Sequence, residues 1–253
     1  MDLGLHGRKA LVTGATKGIG LSIAEHFARE GAAVAICARQ AEEVAATVAR
    51  LRTMGIAATG RALDVSDAPA LQAWIGDAAT ELGGLDIVVS NVSALAIGND
   101  DASWRAEFDT DMMGTVHVVD AAMPWLEASD AGSIVIISSV SGREVDFAAG
   151  PYGVMKAALI HYAQGLAFQL AAKGIRANTI SPGNTYFEGG VWHRIERENP
   201  SLYAGALALN PTGRMGRPEE MARAAVFLAS PAASFISGTN LVVDGALTRG
   251  VQF

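Results

Sequence analysis

Residues 13–20 read Thr-Gly-Ala-Thr-Lys-Gly-Ile-Gly; they follow the short apolar run Lys9–Thr13 and precede a helical pattern. This order predicts a strand, a glycine turn and a helix. Gly14, Gly18 and Gly20 would let the backbone turn tightly and approach a pyrophosphate, which would lie at the positive N-terminus of the helix. A plain tight turn is the alternative, but the position directly after the first strand favours a dinucleotide site.

The alternation of strand and helix continues along the chain and predicts an α/β fold. Apolar runs predict further strands at residues 33–38, 57–63, 86–90, 132–137, 175–180 and 240–243. Helical patterns lie between them at residues 41–54, 67–82, 104–128 and 218–228, with one more helix ending at Ala172. No repeat, low-complexity tract or linker interrupts the pattern, so we expect a single domain over residues 1–253 with helices on both faces of a parallel sheet.

Regular alternation fails between Asn184 and Arg217, where aromatic residues mix with Gly and Pro. Long segments of this kind in compact domains are often lids or binding loops, and this one begins at the carboxyl end of a strand. We therefore expect a substrate lid at residues 184–217. A helical excursion on the surface is the alternative.

Composition and charge argue against several functional classes. The 19 Lys and Arg residues against 26 Asp and Glu give a net charge of −7, which disfavours nucleic acid, anionic membrane and acidic protein partners. The single cysteine, Cys37, can form no intrachain disulfide, and no apolar stretch approaches the roughly 18 residues of a membrane span, so we expect a cytoplasmic protein. Scattered histidines predict no metal site, and Glu42-Glu43 and Asp100-Asp101 are interpreted as helix-start charges or charges on a solvated face.

The end of the second predicted strand reads Cys37-Ala38-Arg39 and carries no acidic residue. In dinucleotide folds this position contacts the adenosine ribose, where an acid binds a free 2′-hydroxyl and an Arg accommodates a 2′-phosphate. Lys17 in the glycine turn offers a second cation. We therefore predict NADP(H) rather than NAD(H); the alternative is that Arg39 is only solvated.

A second motif, Ser139 to Lys156, leads from the predicted fifth strand into the next helix. Tyr152 and Lys156 are spaced i and i+4, so they share one helix face, and Ser139 would face them from the strand end. A fixed ammonium favours the phenolate and lowers a pKa that starts near 10. These groups can do acid/base chemistry, although a surface helix with chance spacing is the alternative. Ser139 lacks the Gly-x-Ser-x-Gly elbow of serine hydrolases.

The glycine turn, Asp64-Val65, Ser139 with Tyr152-x-x-x-Lys156, and Pro182-Gly183 together closely resemble the short-chain dehydrogenase/reductase superfamily over nearly the whole chain. The resemblance implies a Rossmann-like, doubly wound parallel sheet of seven strands in the order 3-2-1-4-5-6-7. It also implies assembly as a homotetramer or homodimer through two long helices. The implied chemistry is hydride transfer between a nicotinamide cofactor and an alcohol or ketone.

The resemblance also implies residue roles. Tyr152 would be the general acid/base, Lys156 would tune its pKa and bind the nicotinamide ribose, and Ser139 would polarise the substrate oxygen. The predicted cofactor contacts are Gly14, Thr16, Lys17, Gly18, Ile19, Gly20, Arg39, Asp64, Val65, Asn91, Tyr152, Lys156, Pro182, Gly183 and Thr185.

The chain departs from the family pattern at three points. Ser90-Asn91-Val92-Ser93 replaces Asn-Asn-Ala-Gly, and Phe187 replaces a Thr four residues after Pro-Gly, with Thr185 two positions early. Asp111, three residues before Gly114, replaces the Asn that relays protons through water to the Lys. We expect Asp111 either to take over the relay or to leave it to water. Its charge would stabilise the ammonium and move the optimal rate to higher pH.

The favoured function is an NADP(H)-dependent oxidoreductase acting on a small, hydrophobic secondary alcohol or ketone. A 3-oxoacyl carrier-protein reductase is an alternative, but the acidic turn Glu127–Asp130 opposes docking of an acidic carrier. A non-catalytic dinucleotide-binding protein that serves regulation or assembly is the alternative of another class.

Overall fold

The computed structural model describes residues 2–251 and contains one seven-stranded parallel sheet in the order β3-β2-β1-β4-β5-β6-β7. The strands are β1 (Lys9–Thr13), β2 (Ala33–Ala38), β3 (Ala58–Ala62), β4 (Ile87–Ser90), β5 (Ser133–Ile137), β6 (Arg176–Pro182) and β7 (Asn240–Val243). The helices are α1 (Gly18–Arg29), α2 (Ala41–Thr53), α3 (Ala68–Leu82), α4 (Asp101–Glu107), α5 (Gly114–Ala128), α6 (Pro151–Leu170), α7 (Val191–Glu198), α8 (Pro200–Ala208) and α9 (Pro218–Ala229). The predicted strand order and α/β class are confirmed.

The sheet is covered on both faces, which explains why its central strands are continuous apolar runs. Every residue of β4 and β5 is buried. One face of the sheet packs against α1, α2 and α9, and the apolar core on this side includes Phe27. The other face packs against α3, α5 and α6, and the core on that side includes Trp74. Strands buried on both sides lose the polar alternation that a half-exposed strand would show.

The order of the strands reverses between β1 and β4, because β2 lies on one side of β1 and β4 on the other. Loops that leave the carboxyl ends of strands diverge at such a point and leave a crevice between them. The glycine turn after β1 and the loop after β4 meet there.

The helix predicted at residues 104–128 begins earlier and is not regular. Asp100 starts α4 because its side chain accepts the N–H of Ser103 at 3.0 Å, which caps the helix end. A π-helical segment, Phe108–Met113, then joins α4 to α5. π-helical turns are rare in proteins, and those that occur are often found at functional sites. This one carries the buried Asp111.

Half of the segment 184–217 is helical, because it contains α7 and α8. Asn199 separates them and caps α8, since its side chain accepts the N–H of Leu202 at 3.1 Å. Trp192 and Met215 are buried within the segment's own small apolar cluster. The segment is thus a helical excursion, and its service as a lid stays a prediction. No helix within residues 2–251 has the length and apolar character needed to cross a membrane.

Candidate active site

The glycine turn after β1 has the shape of an anion cradle. Gly14 has φ +65°, and a Cβ on Gly20 would lie 2.3 Å from the Gly14 carbonyl oxygen, so both positions require glycine. Asn91 fixes the turn, because its Nδ2 donates to the carbonyl oxygens of Thr13 and Gly14 at 3.1 Å each. No side chain caps the first turn of α1, so its N–H groups are available to a phosphate. The turn therefore fits a dinucleotide pyrophosphate.

A cleft of about 790 Å³ runs from this turn to the end of β5. Fourteen of the fifteen predicted cofactor contacts line it, as does Ser139. The exception is Gly18, because the ring of Phe187 packs against it: a Cβ on Gly18 would lie 2.5 Å from the Phe187 ring. Phe187 replaces the family's Thr and therefore covers part of the glycine turn.

The adenosine end of the cleft contains a carboxylate that the sequence interpretation did not place there. Glu43 in the first turn of α2 lies 2.7 Å from Lys17 Nζ and accepts a hydrogen bond from the Thr16 hydroxyl at 3.1 Å. Lys17 holds the pKa of Glu43 below its usual range. Glu43 is a helix-start charge, as interpreted, but its pairing with Lys17 was not predicted. One of the two cations predicted for a 2′-phosphate already has a partner, whereas Arg39 is exposed at the end of β2.

Asp64 and Val65 lie in the same part of the cleft, after β3. The Asp64 carboxylate accepts hydrogen bonds from the N–H and hydroxyl of Ser66, at 3.0 and 2.8 Å. These bonds, with the positive charge of Arg39, lower the pKa of Asp64. A fixed, ionised Asp64 can accept a hydrogen bond from an adenine amino group.

Ser139, Tyr152 and Lys156 converge at the other end of the cleft. Ser139 follows β5 and its hydroxyl accepts the N–H of Ser141 at 3.2 Å. Pro151 begins α6, where its fixed φ suits the first helical position, and so places Tyr152 in the first turn. Lys156 Nζ lies 5.5 Å from the centre of the Tyr152 ring. The structure therefore brings the three predicted catalytic side chains together.

Lys156 is buried, and a carboxylate balances its charge. Its Nζ lies 2.9 Å from Oδ2 of Asp111 and donates to the carbonyl oxygen of Ile137 at 3.3 Å. Asp111 is fully buried, and its Oδ1 accepts the N–H of Ala94 at 2.8 Å. The residue that replaces the family's Asn therefore forms a buried ion pair with the lysine and anchors the loop after β4.

The electrostatics differ from the simple expectation that Lys156 lowers the pKa of Tyr152 toward neutrality. Burial raises the pKa of Tyr152 above 10, and the opposing effects of Lys156 and the Ser139 hydroxyl do not cancel it. Burial lowers the pKa of Lys156, but Asp111 and the phenol more than offset this, so the pKa lies above its usual value. Lys156 is therefore an ammonium, and Tyr152 is a neutral phenol.

Glu107 is a member of this cluster that the sequence interpretation missed. It is fully buried at the end of α4, and its Oε1 accepts the N–H of Ala96 at 2.5 Å. Burial, and then the charge of Asp111, raise the pKa of Glu107 to about 7. Only its i, i+4 spacing from Asp111 could have indicated the pairing. Within residues 2–251, this cluster included, no group of three or more His, Cys, Asp or Glu side chains could hold a metal ion.

Aromatic and apolar side chains line the part of the cleft beside Ser139. Phe147 and Trp192 pack edge to face with their ring centres 5.7 Å apart. Asp146 beside them is a further residue that the sequence did not reveal, and it accepts a hydrogen bond from the Ser141 hydroxyl at 2.6 Å. Pro182 and Gly183 lie opposite, and the Thr185 hydroxyl donates to the Gly183 carbonyl at 3.0 Å. The space suits a compact, mostly apolar molecule.

Comparisons with known proteins show the family of the chain. The family profile described as "Enoyl-(Acyl carrier protein) reductase" matches residues 14–248. Isoepoxydon dehydrogenase of Penicillium expansum is 40% identical over 261 residues, covering 100% of this chain and 99% of its own. A 7α-hydroxysteroid dehydrogenase, solved with NADH and 7-oxoglycochenodeoxycholic acid, superposes with a TM-score of 0.88 at 30% identity, covering 97% of this chain and 96% of that one. A short-chain dehydrogenase from Burkholderia cenocepacia, solved with NADP, gives 0.86 at 30% identity, covering 96% and 99%.

The chain belongs to the short-chain dehydrogenase/reductase superfamily, as its motifs predict. Its relatives are dehydrogenases and reductases, which identifies it as an oxidoreductase of this class with a dinucleotide-binding fold. Its structural neighbours include one solved with NADH and another with NADP.

Proposed function

We propose that the protein is an NADP(H)-dependent oxidoreductase that interconverts a secondary alcohol and a ketone on a small, hydrophobic substrate. The observation that carries the proposal is the placement of Ser139, Tyr152 and Lys156 on the wall of the cleft that begins at the glycine turn. A cofactor held at the turn and a substrate held by the aromatic side chains would share this space.

The chain's own groups account for the proton chemistry. A bound nicotinamide cofactor would supply the hydride in reduction and accept it in oxidation. Tyr152 would give its proton to the substrate oxygen in reduction and remove it in oxidation, while the Ser139 hydroxyl donates a hydrogen bond to the same oxygen. The Lys156 ammonium would stabilise the phenolate and bind the ribose. Because burial raises the pKa of Tyr152, oxidation is expected to be fastest at alkaline pH.

The preference for NADP(H) rests on Arg39 and Lys17 at the adenosine end of the cleft. Arg39 is exposed and can turn toward a 2′-phosphate, as a cation at this position does in other dinucleotide folds. Glu43 reduces the net positive charge there because it is paired with Lys17. We therefore expect a modest preference for NADP(H).

The substrate class is inferred from the cleft and the relatives. Phe147, Phe187 and Trp192 favour an apolar molecule, and the relative at 40% identity is named for its action on isoepoxydon. Isoepoxydon and its ketone or alcohol partners are therefore the first compounds to test. A 7-oxo bile acid tests whether a larger ketone fits.

The decisive experiment follows the absorbance of the reduced nicotinamide with these substrates. We expect turnover with a lower KM for NADPH than for NADH. Tyr152→Phe should lower kcat by at least roughly 100-fold, the usual minimum contribution of a general acid/base. Tyr162→Phe, on the same helix but outside the cleft, is the matched control and should stay active. A Tyr152→Phe variant with more than a few per cent of the activity contradicts the catalytic assignment, and equal or tighter NAD(H) binding contradicts the cofactor preference.

A 3-oxoacyl carrier-protein substrate belongs in the same panel, because of the description of the matching family profile. The acidic turn before β5 opposes an acidic carrier less than its sequence suggests. Glu127 is paired with Lys173 at 2.5 Å, and Asp130 is paired with Arg8. Faster turnover of a carrier-bound than of a free 3-oxo substrate would favour this alternative.

We also propose that the protein assembles as a homotetramer or homodimer through its long helices. Phe168 on α6 is 87% exposed, and an exposed aromatic side chain on a long helix is a typical subunit contact. Light scattering coupled to size-exclusion chromatography tests this. A monomeric wild-type protein would contradict it, and Phe168→Asp should shift an oligomer toward smaller species.

A further inference from the structure

The buried cluster behind Tyr152 contains two carboxyl groups and one ammonium. Glu107 and Asp111 are both fully buried, and Lys156 is 2% exposed. The titratable groups that face Glu107 are Asp111 on the same continuous helical stretch, and Lys156 and Tyr152 from α6. The loop after β4 presents the backbone N–H of Ala96. Two carboxylates beside one ammonium would leave an uncompensated negative charge out of contact with water, which proteins avoid.

The hydrogen bonds show where a proton must lie. Oδ1 of Asp111 accepts the N–H of Ala94, Oδ2 of Asp111 lies 2.9 Å from Lys156 Nζ in an ion pair, and Oε1 of Glu107 accepts the N–H of Ala96. Within residues 2–251, neither Oε2 of Glu107 nor Oδ2 of Asp111 has a hydrogen-bond partner, and the two carboxyl groups are close enough to hydrogen-bond with each other. Ionised carboxylates are acceptors only, so a bond between them requires one to be protonated. Glu107 is the one without a cation in direct contact.

We propose that Glu107 carries a proton in the resting protein, shares it with Asp111 through a hydrogen bond, and acts as a positioning residue that supplies protons through Asp111 and Lys156 to Tyr152. The supply of protons rests on the proposed function, whereas the shared proton does not. The carboxyl pair takes the place of the neutral side chain that the family pattern has at residue 111.

The steps balance. In reduction a bound cofactor would supply a hydride to the carbonyl carbon, and Tyr152 would give its proton to the carbonyl oxygen. The phenolate takes a proton from the Lys156 ammonium, the resulting amine takes one through Asp111 from Glu107, and a solvent proton finally restores the neutral carboxyl group of Glu107. One hydride and one solvent proton are consumed for each ketone reduced, and oxidation reverses every transfer.

Infrared difference spectroscopy of the cofactor-free protein tests the shared proton directly. Wild type should show the carbonyl stretch of a protonated carboxylic acid at about pH 6, and the band should disappear as the pH rises past about 7. Glu107→Gln, which keeps the size and a hydrogen-bond donor, should lack the band. Glu42→Gln, which changes an exposed residue of α2, should keep it. Asp111→Asn should move its disappearance to lower pH, because Glu107 then becomes the only carboxylate beside Lys156.

The pH dependence of kcat tests the supply of protons. Glu107→Gln should lower kcat for ketone reduction by roughly tenfold, less than loss of a direct acid/base group, and should remove an ionisation near pH 7 from the profile. The KM of the ketone should change less than twofold, and circular dichroism should show a native fold. A purely structural role would leave the pH profile unchanged.

The outcomes are separable. A wild-type spectrum whose acid band does not depend on Glu107 overturns the shared proton, even in a fully active enzyme. A Glu107→Gln variant with the wild-type pH profile overturns the proton supply. A wild-type protein that turns over no alcohol or ketone overturns the proposed function and the supply with it, while the band still decides whether the proton is shared.

Discussion

Replacing Glu107 by Gln is expected to change how the stability of the protein depends on pH. The pKa of Glu107 is raised from an ordinary value of 4.5 to about 7 by burial and by Asp111. The folded protein therefore binds this proton more tightly than the unfolded chain. The resulting stabilisation is complete below the unfolded pKa and is lost as the pH rises through the folded pKa, so stability falls between about pH 4.5 and pH 7.

The size of the effect follows from the two pKa values. At about pH 5 the folded state still holds the proton while most unfolded chains have lost it, and at about pH 8 neither state holds it. The difference in the free energy of unfolding between these two pH values is about 2 to 3 kcal/mol. The free energy of unfolding of a native protein is typically roughly 5 to 15 kcal/mol, so this difference is a substantial fraction of it.

Urea unfolding at the two pH values measures this difference for wild type, Glu107→Gln and the exposed control Glu42→Gln. All samples should have the same protein concentration, because assembly also affects stability. Other carboxylates titrate in the same range. The change in the free energy of unfolding between the two pH values is therefore compared between wild type and Glu107→Gln, because the contributions of the other carboxylates cancel in that difference. Glu42→Gln should follow wild type.

The reasoning is refuted if wild type does not lose stability relative to Glu107→Gln as the pH rises. A difference in the opposite direction would mean that Glu107 is ionised in the folded protein. The cluster of Glu107, Asp111 and Lys156 would then bear a buried excess of negative charge, and the hydrogen-bond argument for a shared proton would be wrong.

Three further predictions concern the cofactor and the base. Glu43→Gln removes the partner of a cation at the adenosine end and should improve the ratio of kcat/KM for NADPH over NADH by roughly two- to fivefold, the size of an exposed ion pair. Gly20→Ala introduces a Cβ that overlaps the turn and should abolish dinucleotide binding in a fluorescence titration; Gly76→Ala, which has open space on α3, is the control and should bind normally. Asp111→Asn removes a charge that raises the pKa of Tyr152, so the rate of alcohol oxidation should reach its maximum at lower pH, and an unchanged pH profile would contradict the coupling.

The features that the sequence predicts are those encoded by local patterns. The glycine turn and the apolar strands are short contiguous signals, and the spacing of Tyr152 and Lys156 follows from helix geometry alone. The alternation of strands and helices predicted the α/β class, whereas the strand order was implied by the resemblance of these motifs to the short-chain dehydrogenase/reductase superfamily. The structure then places Ser139 beside the pair through the end of β5.

The features that the sequence misses depend on contacts between distant elements. Glu43 looks like any acid at a helix start until α2 packs beside the glycine turn and brings it to Lys17. Glu107 looks like a surface residue of an amphipathic helix until the π-helical segment and α6 bury it. Residue type alone does not distinguish a solvated carboxylate from one enclosed beside a lysine.

The loop after β4 is bonded at both ends of the cleft. Asn91 holds the carbonyl oxygens of the glycine turn, and the N–H groups of Ala94 and Ala96 are held by Asp111 and Glu107. The amide hydrogens of Ala94 and Ala96 are therefore natural reporters of two events. A ligand that immobilises the glycine turn would slow the exchange of these amide hydrogens with solvent. A change in the charge of either carboxyl group would alter the strength of the hydrogen bond that it accepts from its amide, and so the exchange rate.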